Sequence, residues 1–342
     1  MRKLLSAFPP NGRDYFLPNL HASSSQINDT SPIPVVDTAF DFATIPVIGA
    51  LLLLSLISLS FIFHLRLRSR GACHLREFNN LWTVRLLLVF FISHWAINEI
   101  IRLPLFRSRY LFPSLPSLTL SQQDDLCKLH VVFSLGFMEP GFLITLFFLI
   151  SESVKKQNPS QIGAVLRVLF MSLPTLILQT VVVFFNPLKA QLPWMMIRSS
   201  FLSVDESGNK SMRCTYPLLS SIVFGAFGVV YSVGLLICCW RVVSLVINKK
   251  MKLRIEVLGW TVMMSVLVES LLLGVVGIWK PESIWYGGVL LGMFVSVAIC
   301  GGVAEIVLVI KPIVEALVAA GDYCQWNPVV RYMQPVEDRG NI

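Results

Sequence analysis

Four carboxylic acids stand inside long stretches of the chain that are otherwise almost free of charge: Glu99, Glu139, Glu269 and Glu305. A carboxylate at the centre of a bilayer is disfavoured by at least ~2.5 kcal/mol on insertion scales. Each acid must therefore face the interior of a helix bundle, meet a partner, or keep its proton. Glu139 is the strongest candidate ligand contact, because Pro140 and Gly141 follow it directly. Proline removes a backbone hydrogen bond and bends a helix, and glycine admits a close neighbour. Glu269 is the second candidate. His94 and Asn98 are four residues apart and share a face. With Glu99 they are expected to line a cavity open to the outside, although Glu99 and Arg102 also have the spacing of a local ion pair. Pro140 and Glu305 are candidate switch positions, Glu305 through a contact near the inner end of its helix that holds a resting state.

The surrounding stretches decide what these residues can do. Of 342 residues, 55% are hydrophobic and only 14% charged, well below the roughly 25% charged residues usual in soluble domains. A soluble enzyme, a disordered chain and a nucleic-acid-binding module are excluded on this composition. Seven segments are long and apolar enough to span a bilayer as helices: Thr44–Leu65, Leu81–Leu103, Leu129–Ser151, Ile162–Phe185, Pro217–Trp240, Ile255–Ile278 and Ile284–Ile310. The expected fold is an all-α seven-transmembrane bundle over residues 44–310, preceded by a flexible segment 1–43 and followed by a juxtamembrane helix and tail, 311–342. The amino end is too interrupted by Ser6 and Pro9-Pro10 to be a cleaved signal, which needs an apolar core of 7–15 residues.

Orientation follows from the flanks of the first span. Asp29, Asp37 and Asp41 precede it, while Arg66, Arg68, Arg70 and Arg76 follow. Cytoplasmic flanks hold the excess of Lys and Arg, so the amino end is expected outside and the carboxyl end in the cytoplasm. The net charge of +8 is then a matter of membrane orientation. Two acceptor triplets for N-glycosylation, at Asn28 and Asn209, fall on the expected outer side.

Of seven cysteines, Cys127 and Cys214 are the two placed in the oxidising compartment, where disulfides persist; a bridge between them would pin the long fourth connection across the bundle. Cys324 is a candidate palmitoylation site beside the inner membrane face. Arg241, Lys249, Lys250, Lys252 and Arg254 make a basic inner surface suited to anionic lipid or to a cytoplasmic partner. No hydrolase elbow, zinc-protease helix or phosphate-binding glycine loop is present, and the histidines lie too far apart for a catalytic zinc site. Neither enzyme activity, nor a metal, nor a cofactor is expected.

Taken together, the glycosylatable Asn28 segment, seven spans, the Cys127–Cys214 loop bridge and the short segment ending near Cys324 resemble a heptahelical receptor. The whole chain is similar to the plant candidate G-protein-coupled receptor proteins. That resemblance implies a plasma-membrane seven-helix protein signalling through a heterotrimeric G protein; the layout and the buried acids add the expectation that an unidentified small ligand enters the bundle from outside. The rhodopsin-like switch motifs do not carry over: Ser151-Glu152-Ser153 stands below the third span, Val309-Ile310-Lys311-Pro312 ends the seventh, and the sixth has no proline. A proton- or cation-coupled transporter using the same four acids, and a scaffold recruiting cytoplasmic proteins, are the alternative readings. Protein made in a glycosylating host is expected to run faster on a gel after N-glycosidase treatment, and Asn28→Gln with Asn209→Gln should abolish the change. Insensitivity of the unsubstituted chain would contradict the outer placement of both triplets.

Overall fold

In the computed structural model, the described residues are 33–69, 81–103, 119–152, 161–185, 193–204, 210–246, 249–279 and 283–326. Seven long helices account for most of them, and each is long and apolar enough to cross a membrane. They are α1 (Ile33–Arg68), α2 (Trp82–Arg102), α3 (Leu120–Glu152), α4 (Gln161–Phe184), α5 (Leu218–Leu245), α6 (Lys249–Ile278) and α7, which runs from Ile284 to Trp326. Large apolar side chains such as Phe170, Val230, Trp240 and Leu271 stand on the outer surface. Continuous apolar exposure on this scale is foreign to a soluble monomer and is what a lipid-facing surface requires.

The helices wrap around α3. In its most apolar window 72% of residues are buried, against 22% in α4 and 28% in α1 and α5. Pro140 sits in the middle of this helix and has no N–H to donate to the carbonyl of Gly136, four residues earlier. In hydrocarbon that carbonyl must find another donor. Thr175 of α4 supplies it in part: its Oγ1 lies 3.0 Å from the Gly136 oxygen and 2.8 Å from the Ser172 carbonyl, so the two carbonyls share its one proton. The sequence suggested a simple bend here. The helix instead takes up the mismatch as a π-helical turn, Ser134–Met138, immediately before Glu139 and Pro140. Gly141 is required by the packing, since a Cβ there would lie 2.4 Å from the ring of Phe91 on α2.

Several helices run past the expected spans: α1 begins at Ile33 rather than Thr44, α5 ends at Leu245, α6 begins at Lys249, and two further ends have a clear local cause. α3 begins at Leu120, well before Leu129, because Thr119 and Gln122 form a reciprocal capping box that starts a polar first stretch. α7 does not stop at Ile310. A second π-helical turn, Ile306–Ile310, precedes Lys311 and Pro312, and the helix continues through them as Lys311–Trp326. The candidate Cys324 lies in that continuation, so the expected juxtamembrane helix is joined to the seventh span without a break. At the other end, the compact unit begins at Pro34, inside the stretch expected to be flexible.

The connection between α4 and α5 holds structure the sequence did not suggest. A short helical turn, Trp194–Ile197, leads into an antiparallel hairpin of β1 (Ser200–Val204) and β2 (Lys210–Cys214), with Ser200 opposite Cys214. Cys214 is disulfide-bonded to Cys127 of α3. Ser200 also donates to Asp124, and the Met212 N–H donates to Gln123 Oε1 at 3.0 Å, so the early part of α3 is the platform on which the hairpin rests. This is called the disulfide end below. Asn28 and Asn209 lie outside the described residues.

Replacing Thr175 with valine keeps the shape and removes the donor. A buried carbonyl left without its partner is expected to lower stability by about 1 kcal/mol, read as a downward shift in the thermal unfolding midpoint of detergent-purified protein. Thr175→Ser should stay near the starting value.

Candidate functional site

Below the hairpin, α2, α3 and α6 enclose a connected group of polar side chains. α2 contributes Trp95, Asn98, Glu99 and Arg102, all buried. Their spacing follows the helical repeat of 3.6 residues, with Phe91, Trp95, Glu99 and Arg102 on one inward stripe. His94 lies about 100° around the axis from Trp95 and stands exposed on the outside of the bundle, where its Nδ1 bonds to the carbonyl of Phe90 at 2.9 Å. It is therefore separate from the group it was expected to join.

Near the disulfide end the group is an ion pair with hydrogen-bonded neighbours. Arg102 Nε donates to Glu99 Oε2 at 2.9 Å, and the two side chains are only 7% and 1% exposed. The Tyr216 hydroxyl lies 3.4 Å from the other Glu99 oxygen and 3.1 Å from His130 Nε2. His130 Nδ1 meets the Asn98 carbonyl at 3.1 Å, and Asn98 Nδ2 donates in return to the His130 carbonyl at 3.2 Å. A carbonyl only accepts, so Nδ1 holds the ring proton. This reciprocal pair fixes α2 against α3. Tyr216 lies just before α5; burial, and then the nearby Glu99 charge, push its phenol well above the usual range, so it remains a neutral donor. A cavity of ≈40 Å³ opens above, lined among others by Asp41, Thr44, Arg102, Arg213 and Tyr286.

Deeper in the bundle is the second part, around Glu139. Its Oε1 accepts from the Trp95 indole N–H and from the Ser134 hydroxyl, both at 2.8 Å. Residues five apart point in different directions on an α-helix. In the π-helical turn, with its i to i+5 repeat, Ser134 and Glu139 come onto one face, which is what the proline's disturbance of the helix contributes to the site. Trp95 is held in turn by stacking on Phe294 of α7, with ring centres 5.1 Å apart. The carboxyl of Glu269 on α6 meets that of Glu139. A carboxylate only accepts, so any hydrogen bond between the two needs a proton on one of them. Oε2 of Glu139 and Oε1 of Glu269 meet no donor other than each other's carboxyl, although the residues are only 4% and 3% exposed. Beside Glu139 is a cavity of ≈10 Å³ against Ile92, Trp95 and Gly301, room for about one water molecule.

Glu305 belongs elsewhere. It is fully buried in the other half of the bundle, where Ser55 and Ser58 of α1 donate to its two oxygens at 2.7 and 2.9 Å. It ties α7 to α1 just before the second π-helical turn. The basic surface is separate again: Arg241, Lys249, Lys250 and Lys252 are exposed, and Arg254 forks onto Glu315 of α7. Sequence reasoning missed His130, Tyr216, Trp95 and Ser134. A histidine one turn below Cys127 was the available signal; Tyr216 had none, because only the disulfide brings its loop over the bundle.

Removing Arg102 as Arg102→Met leaves Glu99 as an uncompensated buried charge and is expected to destabilise by about 3–5 kcal/mol. Adding Glu99→Gln should recover most of that loss in the double variant, as measured by chemical unfolding in micelles. An additive double variant would show that the pair is not coupled.

Comparison with curated proteins gives no match. Residues 31–323 match the family described as uncharacterised conserved protein UCP031277, a stretch that takes in α1 to α6, all but the last residues of α7 and every residue of the polar group, and the chain belongs to that family.

Proposed function

We propose that the chain is a receptor-like protein of the plasma membrane, with the disulfide end outside, in which a ligand acting from that end changes the pairing of Glu139 with Glu269. What carries the reading is a single arrangement: two deeply buried carboxyls from α3 and α6 that face each other with no cation beside them among the described residues, beneath a hairpin pinned by a disulfide. Buried polar groups are normally satisfied, so a pair of carboxyls that is satisfied only while it holds a proton marks a place at the junction of two helices where occupancy or proton transfer would alter packing. A change there moves α6 relative to α3. The far end of α6 holds Lys249, Lys250, Lys252 and the Arg254–Glu315 pair, the surface proposed to receive a heterotrimeric G protein or another cytoplasmic partner.

Coupled transport of protons or small cations is the second reading, favoured by the size of the cavity at Glu139, which suits a water or an ion better than an organic ligand. The two readings separate experimentally. With the protein in vesicles, a receptor should activate purified G protein across a ligand library and show no proton-driven uptake; a transporter should show the reverse. In either case Glu139→Gln, which keeps the shape and removes the acid, is expected to reduce the response at least about tenfold with normal surface expression. An unchanged response would remove Glu139 from the mechanism.

A further inference from the structure

A larger cavity lies outside the polar group among the described residues, at the opposite end of the bundle. It is a groove of ≈480 Å³ between α5 and α6, a size typical of ligand sites. The two helices meet closely where Gly259 faces Cys239, whose Sγ would lie 3.1 Å from a Cβ at that glycine. Trp240 and Trp260, 78% and 67% exposed, stand on its two sides. Lys252 and Glu256, one helical turn apart on α6, line it as well. Among the described residues neither makes an ion pair or hydrogen bond, even with the other. Lys249 and Lys250 stand exposed in the same first turns of α6. The surface is thus an apolar slot with a tryptophan on each side, as at membrane interfaces, with one cation and one anion set a turn apart.

We infer that this groove binds a phospholipid whose headgroup joins its phosphate to a hydrogen-bond donor, an amine or a hydroxyl. An acyl chain lies in the slot between Trp240 and Trp260, the phosphate meets Lys252, and the donor meets the Glu256 carboxylate. Charge complementarity selects this occupant. A simple anionic group would leave Glu256 opposed to it, and a choline headgroup has no donor for Glu256. The site adjoins the basic surface at Arg241 and Lys249–Lys250, so occupancy would set the local charge and spacing of α5 and α6 where a partner is proposed to dock. The inference rests on the bundle lying in a membrane but not on the receptor reading.

The test is native mass spectrometry of the full chain, released from micelles doped with equal amounts of choline, ethanolamine, serine and glycerol phospholipids of identical acyl chains. One ethanolamine, serine or glycerol lipid should be retained per protein, in about fivefold excess over the choline lipid. Glu256→Gln should bring the excess close to unity, Lys252→Gln should reduce retention of all four lipids because each carries the phosphate it meets, and Val243→Trp, which fills the slot, should also reduce retention of every lipid. Equal retention of the choline lipid, an excess unaffected by Glu256→Gln, or overall retention unaffected by Lys252→Gln overturns the assignment. Membrane integration is read separately by resistance to alkaline extraction, so loss of the site is distinguishable from loss of the membrane placement.

Discussion

Pro140 takes one backbone donor out of the most buried helix of the bundle, and much of the core is arranged around the carbonyl this leaves behind. Water cannot reach the Gly136 oxygen, and an unpaired polar group at that depth is disfavoured by several kcal/mol. The chain answers with Thr175 on one side and a π-helical turn in α3 itself. The extra residue in that turn rotates Ser134 onto the face of Glu139, and Gly141 lets Phe91 close over the next turn. One missing N–H therefore positions a hydroxyl, a carboxyl and an aromatic ring at the same level of the bundle.

The same constraint explains how the other acids are tolerated. Glu99 has an arginine, and Glu305 has two serines. Buried ion pairs of this kind are weak sources of net stability, because desolvation offsets most of the attraction, yet breaking one is strongly destabilising. They specify which helices meet, α7 with α1 through Glu305 and α2 with the loop above α5 through Glu99 and Tyr216. Glu139 and Glu269 depart from the pattern. Two donors reach one oxygen of Glu139, and the facing oxygens of the pair are left to each other. A site of chemistry is expected where satisfaction is incomplete, and this is the place in the bundle where two acids meet without a cation.

The two ends of the bundle have different characters. At the disulfide end, a hairpin is sewn to α3 by Cys127–Cys214, Gln123 and Asp124, with a small polar cavity beside it. At the basic end the surface opens, with a wide groove between α5 and α6 and cations on either side of it. Among the described residues, polar contacts gather at one end and an apolar groove opens at the other, and α6 runs from Glu269 to the surface where lipid and partner are proposed to meet.

Much of this was legible in the residues alone. The number of helices, their approximate limits, the acids that need an explanation, the disulfide between Cys127 and Cys214 and the special place of Pro140-Gly141 all follow from local rules: length against bilayer thickness, the cost of burying charge, the missing proline N–H. The capping box at Thr119 and Gln122 was also readable, but its polar stretch hid the early start of α3 from a reading based on hydropathy. Rotation about each helix axis, by contrast, is set by neighbours. Only packing decides that His94 faces outward while Asn98 faces His130, that Glu139 meets Glu269 rather than the arginine beside Glu99, or that Tyr216 reaches into the bundle from a loop. When nearly every face of a helix is apolar, periodicity cannot tell the side that meets protein from the side that meets lipid, and the partners of a buried acid come from distant parts of the chain that the tertiary structure alone brings together.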